Sequence, residues 1–274
     1  MGGDGFIGQA LYQACKARGA EVFVTTRRCN RAAIQIDLSQ PIDTNILPHC
    51  DVAYLCAAIS RFSTCERNPI LARRVNITAQ LELARNFFSR GTHVVFLSSN
   101  AVFDGRAESP NEDARLSPIS FYGQLKSYAE EELEVLAKQY SGDLSIVRLT
   151  KVLSSCHPLI SKWVRDLRAK TAITAFSDKN LSPISLDYAV KGLIQCGAVK
   201  VGGTFHLSGK IELSFHALAN LLARSVGAAQ KLVLAESTNQ FPMHNRLGMN
   251  RTELKLSIQA QNLESLVADL VTSK

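Results

Sequence analysis

From about residue 20 to residue 150 the chain alternates short apolar runs with longer amphipathic stretches. Residues 21–26 (EVFVTT) and the segment ending Ile34-Gln-Ile-Asp37 predict two short strands. Residues 51–58 (DVAYLCAA) and 93–98 (HVVFLS) are nearly continuous apolar runs, as strands covered on both faces require, and residues 144–149 (LSIVRL) predict one more. Two long helices are predicted between them, one over about residues 69–89 carrying Leu71, Val75, Leu81, Leu83, Phe87 and Phe88, the other over about residues 121–140. Strands alternating with helices pair in parallel through right-handed crossovers, so the predicted fold is α/β, a Rossmann-like doubly wound parallel sheet. Beyond residue 150 the rhythm loosens. A loop is predicted at residues 154–158, an amphipathic helix at 159–170, a polar connection at 176–183, a short strand at 205–207 and helices at 214–226 and 263–271. The chain thus divides into a sheet domain over residues 1–150, with residues 181–200 packing back onto it, and a smaller substrate-holding region of residues 151–180 and 201–274.

The sheet domain opens on three glycines spaced Gly2-x-x-Gly5-x-x-Gly8, with Phe6 and Ile7 inside the pattern. Ile7, Leu11 and Cys15 then recur at four-residue spacing, with Ala10 and Ala14 beside them, as a sheet-packing helix requires. Such a loop lets a dinucleotide pyrophosphate lie against backbone N–H groups at the positive end of the helix. Only Met1 precedes it. The strand that normally leads into such a loop is therefore expected to be missing, through a mis-assigned start codon or trimming, and the loop to lack its anchor.

Composition narrows the picture. Of 274 residues, 46% are hydrophobic and 20% charged, enough for a substantial core. No apolar stretch reaches membrane-spanning length and the N-terminus lacks a signal-peptide pattern. The seven cysteines (15, 29, 50, 56, 65, 156 and 196) contain no C-x-x-C pair, which points to reduced thiols in the cytoplasm and away from a zinc site. The net charge of +7 is spread without a basic run, so nucleic acid is not the expected partner.

The strand predicted over residues 21–26, which takes the second place in such a fold once the expected missing strand is counted, ends Thr25-Thr26-Arg27-Arg28, with no acid to take both ribose hydroxyls. Guanidinium groups suit a 2′-phosphate, so NADP(H) is expected in preference to NAD(H), against the alternative of two arginines in a solvated turn. Asp37 would meet the adenine amino group or cap a helix. Leu38, Ala57 and Ala58 complete the expected cofactor contacts.

Tyr122-Gly-Gln-Leu-Lys126 places a phenol and an ammonium on one helix face. A tyrosine that transfers protons near neutrality must ionise well below its usual pKa of about 10, and a neighbouring ammonium favours that. Tyr12–Lys16 matches the same spacing, but no serine-bearing strand end leads to it. Tyr122 follows a strand ending Ser98-Ser99-Asn100, at the edge where α/β ligands bind. Ser99 is expected to hydrogen-bond the reacting oxygen; Ser98 reads as a buried strand-end hydroxyl and Tyr128 as a surface residue.

The ordered set GGDGFIG, DVAYLCAA, LSSNAVFDG, YGQLK and SIVRL resembles the extended short-chain dehydrogenase/reductases. The block SSNAVFDG, with the later LSPISLDYA and GTFHLSG, is most similar to the dTDP-4-dehydrorhamnose reductase branch. The resemblance implies Ser99, Tyr122 and Lys126 as a catalytic triad, Gly2, Gly5 and Gly8 as the phosphate loop, and Asn76 as the family's helix asparagine. On sequence alone Asn76 reads equally as a helix-kinking core residue. The implied activity is NADP(H)-dependent reduction of a nucleotide-linked keto sugar, with a homodimer as an assembly the resemblance allows. The alternatives are a sugar-nucleotide epimerase with retained NAD(P) and a non-catalytic NADP-binding regulatory subunit. Asn100 and Ala101 stand where sugar-nucleotide dehydratases carry acids, which disfavours dehydration. Lys151 stands where the reductase branch commonly has an aromatic residue. Arg165 and Arg246 are candidates to clamp a diphosphate, with a plain surface charge as the alternative for each.

Overall fold

The computed structural model describes residues 1–28, 33–238 and 243–272; Cys29, one of the thiols counted above, lies outside them. Helix α1 (Phe6–Ala17) follows the glycine loop directly, with Gly5 as its N-cap. Helices α2 (Phe62–Arg67), α3 (Pro69–Arg73), α4 (Ala79–Phe88) and α5 (Phe121–Tyr140) come next. Strands β1 (Thr25–Thr26) and β2 (Ile34–Gln35) pair in parallel with each other. Strands β3 (Val52–Leu55), β4 (His93–Ser99) and β5 (Leu144–Leu149) join strand Gly203–Leu207 in a parallel sheet ordered β3, β4, β5, Gly203–Leu207.

Alternation along β4 shows why its sequence is apolar throughout. Val95 and Leu97 pack with Leu11 of α1 and Leu193 of helix Leu186–Val199, whereas Val94 and Phe96 pack with Leu83 of α4 and Leu125 and Leu133 of α5. Both faces of the sheet are covered. A separate core gathers Ile160, Trp163, Ile173, Leu181, Leu218 and Leu266 from the C-terminal half.

Several predicted boundaries move. Residues 21–26 keep strand pairing only at Thr25–Thr26, although the Ile34 N–H also donates to the Val24 carbonyl at 2.8 Å. Their other side faces a groove of about 720 Å³ that separates β1 from β3 and is lined by Tyr12, Phe23, Ala53, Tyr54 and Phe87. The loop nevertheless has an anchor. The Met1 amino group donates to the Tyr54 carbonyl at 2.8 Å, the Cys56 N–H donates to the Met1 carbonyl at 3.2 Å, and the Gly3 N–H donates to the Thr25 carbonyl at 2.9 Å. Those contacts tie it to β1 and β3, contrary to the expectation from sequence.

The single helix predicted over residues 69–89 is instead α3, a π turn (Arg74–Thr78) and α4. The Gln80 side-chain amide donates to the Val75 carbonyl at 2.9 Å and to the Ala57 carbonyl at 3.1 Å, so a side chain serves a carbonyl inside the widened turn. Strands Ile173–Phe176 and Val233–Glu236 pair in parallel where no strand was predicted. Among the described residues, no helix is long and apolar enough to cross a membrane.

Candidate active site

A cleft of about 740 Å³ opens where β1, β3, β4 and β5 end, reached by Thr26, Cys56, Ser98 and Leu149. Gly2, Gly5, Phe6, Ile7, Gly8, Arg27, Arg28, Asp37, Leu38, Ala57 and Ala58 all line it, as do Tyr122 and Lys126. The loop geometry requires glycine at two points. Gly2 has φ +77°, and a Cβ on Gly8 would lie 2.1 Å from the Gly2 carbonyl oxygen. Ser98, a residue of the same cleft wall, adds a buried hydroxyl with no partner among the described residues. A bare backbone cradle at a helix N-terminus, with an unmatched hydroxyl in the wall, fits a dinucleotide.

Asn76 stands behind this wall rather than on it. Fully buried, its amide accepts from the Ile59 N–H at 2.9 Å and donates to the Ile59 carbonyl at 3.0 Å, pinning the segment after β3. Asp37 caps its own turn: its carboxylate accepts from the Ser39 N–H at 2.9 Å, and these Ser39 contacts hold it below the usual carboxylate range.

Ser99 ends β4 and caps a short 3-10 turn, accepting from the Ala101 N–H at 3.2 Å and donating to Asn100 Oδ1 at 3.3 Å. Helix α5 begins at the Ser120 cap, whose hydroxyl accepts from the Gly123 N–H at 3.1 Å. Gly123 lets the helix approach that turn, since a Cβ there would lie 2.0 Å from the Ala101 carbonyl oxygen. The approach brings the Tyr122 phenol near the Ser99 hydroxyl, although the hydrogen bonds that Ser99 makes run to Asn100 and Ala101. Tyr122 also stacks on Phe62, ring centroids 5.5 Å apart.

The electrostatics differ from the sequence expectation. Burial pushes the Tyr122 phenol above its ordinary value, Cys65 adds to the rise, and the nearby Ser99 hydroxyl opposes it. The Lys126 ammonium does not pull the phenol down. It donates to the Leu97 carbonyl at 2.6 Å and sits 4.2 Å from the Phe96 ring centroid. Burial lowers Lys126 from its usual 10.5 to about 8, with Glu130 and Cys56 acting in the opposite direction. At neutral pH the site therefore presents a protonated phenol beside a cation.

Glu130, one turn beyond Lys126, receives the Arg148 guanidinium at 2.7 and 3.0 Å. Arg148 also donates to the Glu112 carbonyl at 3.3 Å and lies 5.3 Å from the Phe103 ring centroid. Burial, with Arg148 beside it, lowers His206 to about 4, so the imidazole is neutral. His206 Nδ1 then donates to the Gly248 carbonyl at 2.7 Å and Nε2 accepts from Arg148 at 3.3 Å.

Other candidates are placed less centrally. Arg165 lies on the exposed face of helix Pro158–Arg168, paired with Asp166 at 3.1 Å, and does not line the cleft. Arg246 donates to the Lys210 carbonyl at 3.3 Å and lines a small hollow of about 80 Å³ with Asn100, Phe103 and Asp104. Lys151 is exposed, and its charge joins burial in lowering the His157 imidazole. The Lys16 ammonium sits 6.0 Å from the Tyr12 ring, and Tyr12 lines the groove rather than the cleft. Sequence reasoning overlooked Asp4 and Phe62, while Ser98 is the buried strand-end hydroxyl it was read as. Only Asp4 carried a signal, an acid inside the glycine pattern.

A family model described as the RmlD substrate binding domain matches residues 1–269. The chain is 28% identical over 237 residues to dTDP-4-keto-6-deoxy-D-glucose reductase of Streptomyces niveus, covering 83% of this chain and 77% of that protein. It is 24% identical over 242 residues to methionine adenosyltransferase 2 subunit beta of Bos taurus, covering 81% and 70%. Among solved structures, dTDP-4-dehydrorhamnose reductase of Bacillus anthracis in complex with NADP matches with a TM-score of 0.82 at 19% identity, over 96% of this chain and 93% of that one.

Proposed function

The chain belongs to the RmlD substrate binding domain family, and we propose that it is a cytoplasmic oxidoreductase that reduces the ketone of a nucleotide-linked 4-keto sugar with NADPH. One observation carries this reading: a neutral phenol, Tyr122, lines the cleft that holds the glycine loop and stands near enough to the Ser99 hydroxyl for that group to act on its pKa. The glycine loop and the start of α1 would hold the pyrophosphate, Arg27 and Arg28 the adenosine end, and Lys126 the nicotinamide ribose. NADPH, when bound, supplies the reducing equivalent. Tyr122 gives its proton to the oxygen that becomes the hydroxyl, and Ser99 holds that oxygen by hydrogen bond. Asn100 and Ala101 offer no carboxylate beside Ser99, which supports reduction over dehydration.

The test is loss of NADPH absorbance with a panel of nucleotide-linked 4-keto sugars. One NADPH consumed per sugar supports the reading. Turnover without net consumption points to epimerisation. No turnover on the panel, with dinucleotide binding intact, points to a regulatory subunit, the reading favoured by the likeness to the bovine beta subunit.

A pH profile adds a second check. Lys126 loses its proton near pH 8, so kcat/KM is expected to fall above that value. Burial disfavours the cation, so the unfolded chain binds more protons than the folded one between about pH 8 and the usual lysine value of 10.5. The Lys126 contribution, read as the stability of the unmodified protein minus that of Lys126→Met, should therefore rise over the range in which activity falls. A difference that falls with pH over this range would contradict the buried, charged state given to Lys126.

A further inference from the structure

At the tip of β1, where an acidic side chain would take the adenosine ribose hydroxyls, the chain has Thr26 followed by two arginines. The fold brings a carboxylate to that place from the glycine loop. The Thr26 hydroxyl donates to Asp4 Oδ2 at 2.5 Å and accepts from the Arg28 N–H at 3.1 Å. The Gly3 N–H, donating to the Thr25 carbonyl at 2.9 Å, fixes this part of the loop against β1. Asp4 is exposed and lines the same cleft as Thr26, Arg27 and Arg28. Its second carboxylate oxygen has no hydrogen-bond partner among the described residues, and no arginine among them pairs with it.

A carboxylate held by one oxygen keeps the other as an acceptor for a hydroxyl. The same charge repels a phosphate ester at that position, where guanidinium groups attract it. We propose that Asp4 is a specificity-determining residue: it accepts a hydrogen bond from the adenosine ribose of NAD(H) and opposes the 2′-phosphate that Arg27 and Arg28 attract. The protein then uses both dinucleotides, and Asp4 sets the ratio between them. The inference rests on the nicotinamide-dinucleotide reading above and extends it to cofactor choice.

The test is equilibrium binding of NAD⁺ and NADP⁺ to the full chain by calorimetry, with no sugar present. Asp4→Asn keeps an acceptor for Thr26 and removes the charge. It is expected to raise the NADP⁺-to-NAD⁺ affinity ratio at least about fivefold. Thr26→Val frees the carboxylate from its tether without adding charge, and is expected to weaken NAD⁺ more than NADP⁺. Arg28→Ala should move the ratio the opposite way from Asp4→Asn. Because each protein is measured with both ligands, a loosened loop weakens both alike and leaves the ratio unchanged. If both dinucleotides bind and neither Asp4→Asn nor Thr26→Val shifts the ratio as stated, this inference falls and the functional reading stands. If neither dinucleotide binds the unmodified chain, both fall.

Discussion

Tyr122→Phe is expected to lower turnover of a nucleotide-linked 4-keto sugar by about 10²–10⁴-fold, the usual worth of a positioned general acid. The substitution removes one oxygen and keeps the ring that stacks on Phe62 at 5.5 Å. Fold and dinucleotide affinity should therefore be unchanged, which separates a chemical loss from a structural one. Burial raises the phenol's pKa, so Tyr122 is already protonated at neutral pH and suited to give a proton in the reductive direction. Steady-state kinetics with calorimetric NADP⁺ binding decide the matter. Turnover within about threefold of the unmodified protein would remove Tyr122 from the chemistry.

The second large effect concerns stability. Glu130→Ala leaves Arg148, 5% exposed, without its carboxylate partner. Removing one member of a buried pair typically costs about 3–5 kcal/mol, a large share of the roughly 5–15 kcal/mol that holds a protein folded. Replacing both members, as Glu130→Leu with Arg148→Met, should recover most of the loss, because the penalty comes from the stranded guanidinium. Chemical denaturation of the two variants tests this. A loss below about 1 kcal/mol for Glu130→Ala would mean that water or another group reaches Arg148. Because Glu130 lies one turn from Lys126 and helps sustain its charge, Glu130→Gln should also move the alkaline fall of kcat/KM to lower pH.

How far the sequence revealed the site differs residue by residue. The glycine loop could be read because close backbone approach admits almost no other residue: a Cβ on Gly8 would collide with the Gly2 carbonyl. Tyr122 and Lys126 could be read because helical spacing puts them on one face after a strand bearing two serines. The π turn could not, since it depends on Gln80 reaching the carbonyls of Val75 and Ala57. Helix α2, six residues without apolar periodicity, left no pattern to follow, yet it supplies the ring against Tyr122. The expected lowering of the phenol's pKa by Lys126 failed for a geometric reason. Spacing gives the face but not the direction of a four-carbon stem, and Lys126 ends on the Leu97 carbonyl. Asp4 was visible as a letter, but its meeting with Thr26, 22 positions away, belongs to the folded loop.

The central claim is that this cleft delivers reducing equivalents to a sugar carbonyl while Tyr122 protonates its oxygen. Single turnover with NADPH deuterated at the transferring position, followed by mass analysis of the nucleotide sugar, tests it most directly. The account predicts one deuterium on the former carbonyl carbon, with the yield lost in Tyr122→Phe. A product without deuterium, or equal yield from Tyr122→Phe, would contradict it.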